Sequence, residues 1–128
     1  MEFQSLLNKP FVVLDGAMGT MLQSQGLPAG GLPELFNISN PKTVTEIHRA
    51  YIGSGADIVY TNTFGANRYK LQNSGYTVEE IIAAGISAAK QAAEGTGCLV
   101  ALGIGPIGQL LEPAGSLRFE EAVEIFAE

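Results

Sequence analysis

Three short apolar runs organise this chain, each closed by a polar, glycine-rich stretch and each followed by a helical pattern. Phe11-Val12-Val13-Leu14 is continuous, rich in β-branched residues and bounded by Pro10 and Asp15-Gly16, which predicts a buried strand. Gly26, Pro28, Gly30, Gly31 and Pro33 then break any regular element. Asn40-Pro41 predicts a helix start, because Asn caps free amides and Pro suits the first turn. Val44, Ile47, Tyr51 and Ile52 fall on one face of that helix, and Gly53 and Gly55 stop it. Asp57-Ile58-Val59-Tyr60-Thr61 predicts a second strand. Thr77, with Glu80 three residues later, has capping-box spacing. The helix it opens turns Val78, Ile81, Ile82, Ile86 and Ala89 inward and ends at Gly95. Leu99-Val100-Ala101-Leu102-Gly103 predicts the third strand. Ser116 is placed to cap a last helix with an apolar stripe of Phe119, Ala122, Val123 and Phe126.

The predicted order is βα, βα, βα, which means a parallel sheet with right-handed crossovers. Apolar residues make up 46% of the chain, a richness that fits strands buried on both faces. A closed barrel of this kind needs eight units and about 250 residues. The fold expected of these 128 residues is therefore α/β, the first three βα units of a (β/α)8 TIM-type barrel, truncated.

Composition narrows the partners. A net charge of −6 argues against a nucleic-acid backbone, which needs clustered Lys and Arg. The longest apolar run, Cys98 to Ile104, is far short of the roughly 20 residues that span a bilayer, so no membrane partner is expected. Met1-Glu2-Phe3-Gln4 has neither the positive start nor the cleavage site of a secretory signal, and the expected location is the cytoplasm. The single cysteine, Cys98, offers no internal disulfide and no metal-ligand spacing.

In a barrel or an open sheet, ligands bind at the carboxyl ends of the strands. Those ends are Asp15-Gly16-Ala17-Met18-Gly19-Thr20, Thr61-Asn62-Thr63-Phe64-Gly65-Ala66-Asn67 and Gly103-Ile104-Gly105-Pro106-Ile107-Gly108. Asp15 follows four apolar residues directly and should be partly buried, where a carboxylate needs a cation or several donors. It reads either as a clamp for a substrate ammonium or as a cap accepting the amides of Ala17 or Met18. Gly103, Gly105 and Gly108 match a dinucleotide fingerprint in form. Pro106 inside the motif and Pro113 beyond it leave no long helix to face a pyrophosphate. His48, the only histidine, is mid-helix and expected on a rim or at the surface. Cys98 begins a strand, at the rim opposite the chemistry. Tyr51, Tyr60 and Phe64 read as core aromatics, and only Phe64, in a glycine loop, has a claim on a pocket.

At these strand ends the chain resembles the homocysteine S-methyltransferase family, most closely the N-terminal homocysteine-binding domain of the cobalamin-dependent methionine synthases. The resemblance rests on DGAMGTMLQ (15–23), NPKTVTEIHRAYIGSGAD (40–57), TNTFGANRYKL (61–71) and GIGPIGQLLEP (103–113), in the family's order. It implies that residues 1–128 are the N-terminal, incomplete part of a homocysteine-binding barrel. It also implies zinc, which holds the homocysteine thiol as thiolate for attack on a methyl group. The implied donor is methylcobalamin, recharged by methyltetrahydrofolate on other domains. By position, Asp15 matches the carboxylate near the homocysteine amino group. Gly16 and Ala17 would offer amides to its carboxylate, and Asn62, Thr63 and Phe64 would line the same mouth. No catalytic residue and no metal ligand is implied here, because the family's three zinc cysteines come from later strands and Cys98 is not one of them.

Two other readings stand beside this one. An unrelated barrel of aldolase or phosphate-binding type would use the same rim, although Lys70 is several residues past a strand tip. Alternatively, the isolated chain is an inactive, self-associating piece whose open apolar edges seek the rest of a barrel.

Overall fold

The computed structural model describes residues 3–128, so that Met1 and Glu2, and with them the reading of the first residues as lacking a signal, lie outside the described part. The elements in order are α1 (Phe3–Leu6), α2 (Gly19–Ser24), a 3-10 turn (Pro33–Leu35), α3 (Phe36–Ser39), α4 (Pro41–Gly53), β1 (Ile58–Tyr60), α5 (Arg68–Leu71), α6 (Val78–Ala93), β2 (Leu99–Ala101) and α7 (Phe119–Ala127). β1 and β2 are parallel, with Ile58 opposite Leu99, Val59 opposite Val100 and Tyr60 opposite Ala101.

The two long helices form where local chemistry predicts. The Asn40 side chain accepts the Thr43 amide, and Pro41 occupies the first turn of α4. Thr77 accepts the Glu80 amide at 3.1 Å while the Glu80 carboxylate takes the Thr77 amide at 2.8 Å, a complete capping box. α4 packs along α6, and both lie against the strands. Leu22, Leu27, Val44, Ile47 and Ala88 form one core, and Leu71, Val78 and Ile81 another. α6 buries Gly85 where a Cβ would come within 2.8 Å of Asn37 Nδ2 and Thr63 Cγ2. A mid-helix glycine costs about 1 kcal/mol relative to alanine, and here it permits that close approach.

Four expectations change. The run Phe11 to Leu14 makes only an isolated parallel bridge, Leu14 to Ile58, and Val12, Val13 and Leu14 are exposed. It meets β1 on one side alone, and within the described residues nothing pairs with its other edge. Nor are the strands covered on both faces: Val59 is buried, but Tyr60 is exposed and Leu99 to Ala101 are half-buried. Helices cover one side of this sheet and leave the other open. Ser116 does not cap the last helix, because α7 begins at Phe119 after Arg118, with no side-chain cap. Leu117 is buried and bonded through its backbone to Leu110 and Glu112, which delays the helix. Finally, α7 buries Ala122 and Ile125, while Phe119, Val123 and Phe126 are 66%, 51% and 56% exposed.

Candidate functional site

The site begins where the first apolar run meets β1. Val13 O accepts the Asp57 amide at 2.7 Å, and the Asp15 amide donates to Ile58 O at 3.1 Å. Lys9 pairs with Asp57 at 2.5 Å, and the same carboxylate takes the Val13 amide, drawing Asp57 below the usual carboxylate range. This pairing carries Asp15 to the carboxyl edge of the sheet. Its Oδ2 accepts the Tyr60 amide at 3.0 Å, so neither Ala17 nor Met18 is its donor. Burial pushes the Asp15 carboxyl above its ordinary 3.8, with the Tyr60 amide opposing. A half-desolvated carboxylate with one oxygen on a single amide retains capacity for a cation.

The next three backbone amides, of Gly16, Ala17 and Met18, have no acceptor among the described residues. Tyr51 reaches this turn from α4, its hydroxyl donating to Ala17 O at 2.7 Å.

The tip of β1 is held from below. Asn62 Nδ2 donates to Pro33 O at 2.8 Å and to Asn37 Oδ1 at 2.9 Å, and Asn37 Nδ2 returns a bond to Asn62 O at 2.7 Å. Glu34 Oε1 takes the Gly65 amide at 2.7 Å. The 33–37 segment, which follows the stretch broken by Gly26, Pro28, Gly30, Gly31 and Pro33, is thus the clamp for the 62–65 loop. Thr61 and Thr63 share a hydroxyl contact of 2.6 Å, and Thr63 donates to Gly103 O at 2.7 Å, tying this loop to the end of β2.

Between the strand ends lies a cleft of about 570 Å³, lined by Asp15, Gly16, Met18, Gly19, Pro33, Glu34, Tyr60, Thr61, Asn62, Phe64, Gly103 and Ile104. Of the residues singled out from sequence, Asp15, Gly16, Asn62 and Phe64 meet here. Ala17 borders the cleft through its turn without lining it. Thr63 is buried beneath the rim and lines a neighbouring hollow with Phe64. Both amide protons of Asn62 are used inside the protein, leaving only its oxygen for a ligand.

Other placements depart from the sequence reading. Tyr60 is exposed in the cleft wall instead of lying in the core. Tyr51 is half-buried against the first core cluster. His48 is fully buried, not on a rim; both ring nitrogens lack a partner among the described residues, and burial lowers its pKa to about 4. Glu34 is 4% exposed, and its Oε2 is buried without a partner among the described residues. Nothing local in the sequence singled out Glu34 or Asn37; their roles come from contacts across 25 or more positions.

Among the described residues, no group of three or more His, Cys, Asp or Glu side chains could hold a metal ion. Cys98 immediately precedes β2 and does not line the cleft, and burial raises its thiol pKa. No helix among the described residues is long and apolar enough to cross a membrane.

The family model for homocysteine S-methyltransferase matches residues 12–128. The methionine synthase of Mycobacterium tuberculosis is 40% identical over 72 residues, which is 52% of this chain and 6% of that protein. The methionine synthase of Mycobacterium leprae is 45% identical over 62 residues, 44% of this chain and 5% of that protein. Among solved structures, the metallated form of the homocysteine methyltransferase MmuM from Escherichia coli superposes with a TM-score of 0.72 at 28% identity, over 82% of this chain and 41% of that one. Its oxidised form gives 0.72 at 26% identity. The chain thus spans less than half of the solved relative and a small part of the curated ones.

Proposed function

This chain belongs to the homocysteine S-methyltransferase family, and from that membership we propose that its cleft holds the amino-acid end of homocysteine in an enzyme that methylates the homocysteine thiol to form methionine. One observation carries the reading: a half-buried carboxylate and three unpartnered amides sit together at the sheet's carboxyl edge. A zwitterionic amino acid presents the complementary pair, an ammonium and a carboxylate.

In this reading Asp15 accepts the ammonium through the capacity that the Tyr60 amide leaves free. Charge-assisted bonds of this type are the strong ones. The amides of Gly16 and Ala17, with that of Met18 beside them, receive the substrate carboxylate. Asn62 presents its oxygen at the mouth, Thr63 stiffens the rim from beneath, and Phe64 covers the cleft with an apolar ring.

No group of three or more His, Cys, Asp or Glu side chains among the described residues could hold zinc, and the contribution proposed for these residues is the amino-acid clamp. Zinc, methylcobalamin and methyltetrahydrofolate, if this is the methionine synthase type of enzyme, would be held by other parts of the intact protein. The three parallel segments would then be the first three βα units of a barrel.

Calorimetric titration of the intact protein tests the reading. Homocysteine should bind, and methionine, with the same amino-acid end, should compete. Binding of inorganic phosphate in place of homocysteine would favour the phosphate-binding type of barrel.

A further inference from the structure

The turn after Asp15 has no side chain of its own to hold it. Gly16 and Ala17 link the Asp15 strand end to Met18, the N-cap of α2, which has no side-chain cap. The amides of Gly16, Ala17 and Met18 make no hydrogen bond to the described residues that would fix their direction. The ends of the turn are held by the backbone, the Asp15 amide on Ile58 O at 3.1 Å and Met18 O by the Leu22 amide at 2.9 Å, which leaves the peptide between Ala17 and Met18 to be fixed.

Between those ends the turn is held by Tyr51. Its hydroxyl donates to Ala17 O at 2.7 Å. Its ring edge lies against the Gly16 backbone so closely that a Cβ on Gly16 would come within 2.9 Å of Cε1 and of Oη. Tyr51 is itself anchored, because α4 is capped by Asn40 and buries Val44, Ile47 and His48.

The consequence follows from peptide geometry. In a trans peptide the carbonyl of one residue and the amide of the next point in opposite directions. Holding the Ala17 carbonyl toward α4 turns the Met18 amide the other way, and Met18 lines the cleft. Rotation of this peptide would instead present a carbonyl oxygen, which repels a carboxylate. We propose that Tyr51 is a positioning residue that fixes the 16–18 turn with its amides directed at the carboxylate of an amino-acid ligand. This rests on the amino-acid reading of the cleft given above. It assigns to a residue on a neighbouring helix the preorganisation of an anion-binding turn.

Tyr51→Phe isolates the hydroxyl, because the ring that packs on Gly16 is kept. The measurement is the dissociation constant of the intact protein, wild type and variant, for two ligands: homocysteine and 3-aminopropane-1-thiol, which is homocysteine without its carboxylate. Loss of one hydroxyl bond corresponds to a change of about three- to tenfold. The variant should bind homocysteine weaker by that factor and bind the carboxylate-free ligand as the wild type does. Equal homocysteine affinity in wild type and variant overturns the proposal. An equal loss on both ligands also overturns it, since it would mark a general loosening of the cleft. If the wild type binds homocysteine no better than the carboxylate-free thiol, the amino-acid reading fails, and the role of Tyr51 fails with it.

Discussion

Glu34 Oε1 accepts the Gly65 amide at 2.7 Å, and the carboxylate lies where a side chain on Gly65 would have to go. A Cβ at position 65 would approach Oε1 to 2.9 Å and Oε2 to 3.1 Å. Glu34 is buried and bonded, so it cannot swing aside freely. Gly65→Ala should therefore destabilise the protein by about 1–3 kcal/mol, the usual cost of overpacking a closed site. Denaturant unfolding of the intact protein measures it; a change below about 0.5 kcal/mol would mean that the loop is not clamped.

Asp15→Ala removes the proposed ammonium partner. The loss of a charge-assisted bond costs about 1.5–3 kcal/mol, roughly ten- to a hundredfold in KM for homocysteine. Zinc content of the intact protein should not change, because Asp15 belongs to no metal-binding group among the described residues. In the wild type, binding should weaken on acidification at a pH above 3.8, since burial raises the Asp15 carboxyl above that value. Steady-state kinetics across pH, with metal analysis, checks both.

His48 should make the fold acid-sensitive. Its pKa falls from 6.5 to about 4 on folding, so the unfolded chain takes up the proton first. Stability is then full above pH 6.5, declines as the pH falls from 6.5 toward 4, and levels off below that. The shift corresponds to about 3 kcal/mol. His48→Leu should flatten this part of the pH profile. Unfolding free energies of wild type and variant at pH 7 and pH 4.5 decide it; parallel profiles would remove His48 as the cause.

The 128 residues on their own should associate. Phe11, Ile104, Phe119, Phe126 and the edge around Val12 to Leu14 are exposed together with one open sheet face. Each large apolar side chain left in water forgoes about 1.5–3 kcal/mol, a large part of the stability of a small domain. Sedimentation equilibrium at micromolar concentration should show oligomers or aggregate. A cooperative monomer would count against this reading of the surface.

What the sequence by itself determined was local or periodic. Asn40-Pro41 and the Thr77–Glu80 box set the starts of α4 and α6, because each cap links residues three positions apart. Asp15, Asn62 and Phe64 were legible as neighbours, because parallel strands joined by helical crossovers bring their carboxyl ends to one edge. Tertiary structure decided the rest. The Glu34 and Asn37 clamp acts across 31 and 25 positions, and no pattern within either segment encodes it. His48 and Tyr60 exchanged their expected places, since helical or strand periodicity says which residues share a face but not how far a neighbour covers it. The same reason leaves Phe119, Val123 and Phe126 in solvent while Ala122 and Ile125 are buried. A run such as Phe11 to Leu14 carries the propensity for a strand, but a strand is completed by hydrogen bonds to its neighbours, and here β1 supplies only a bridge.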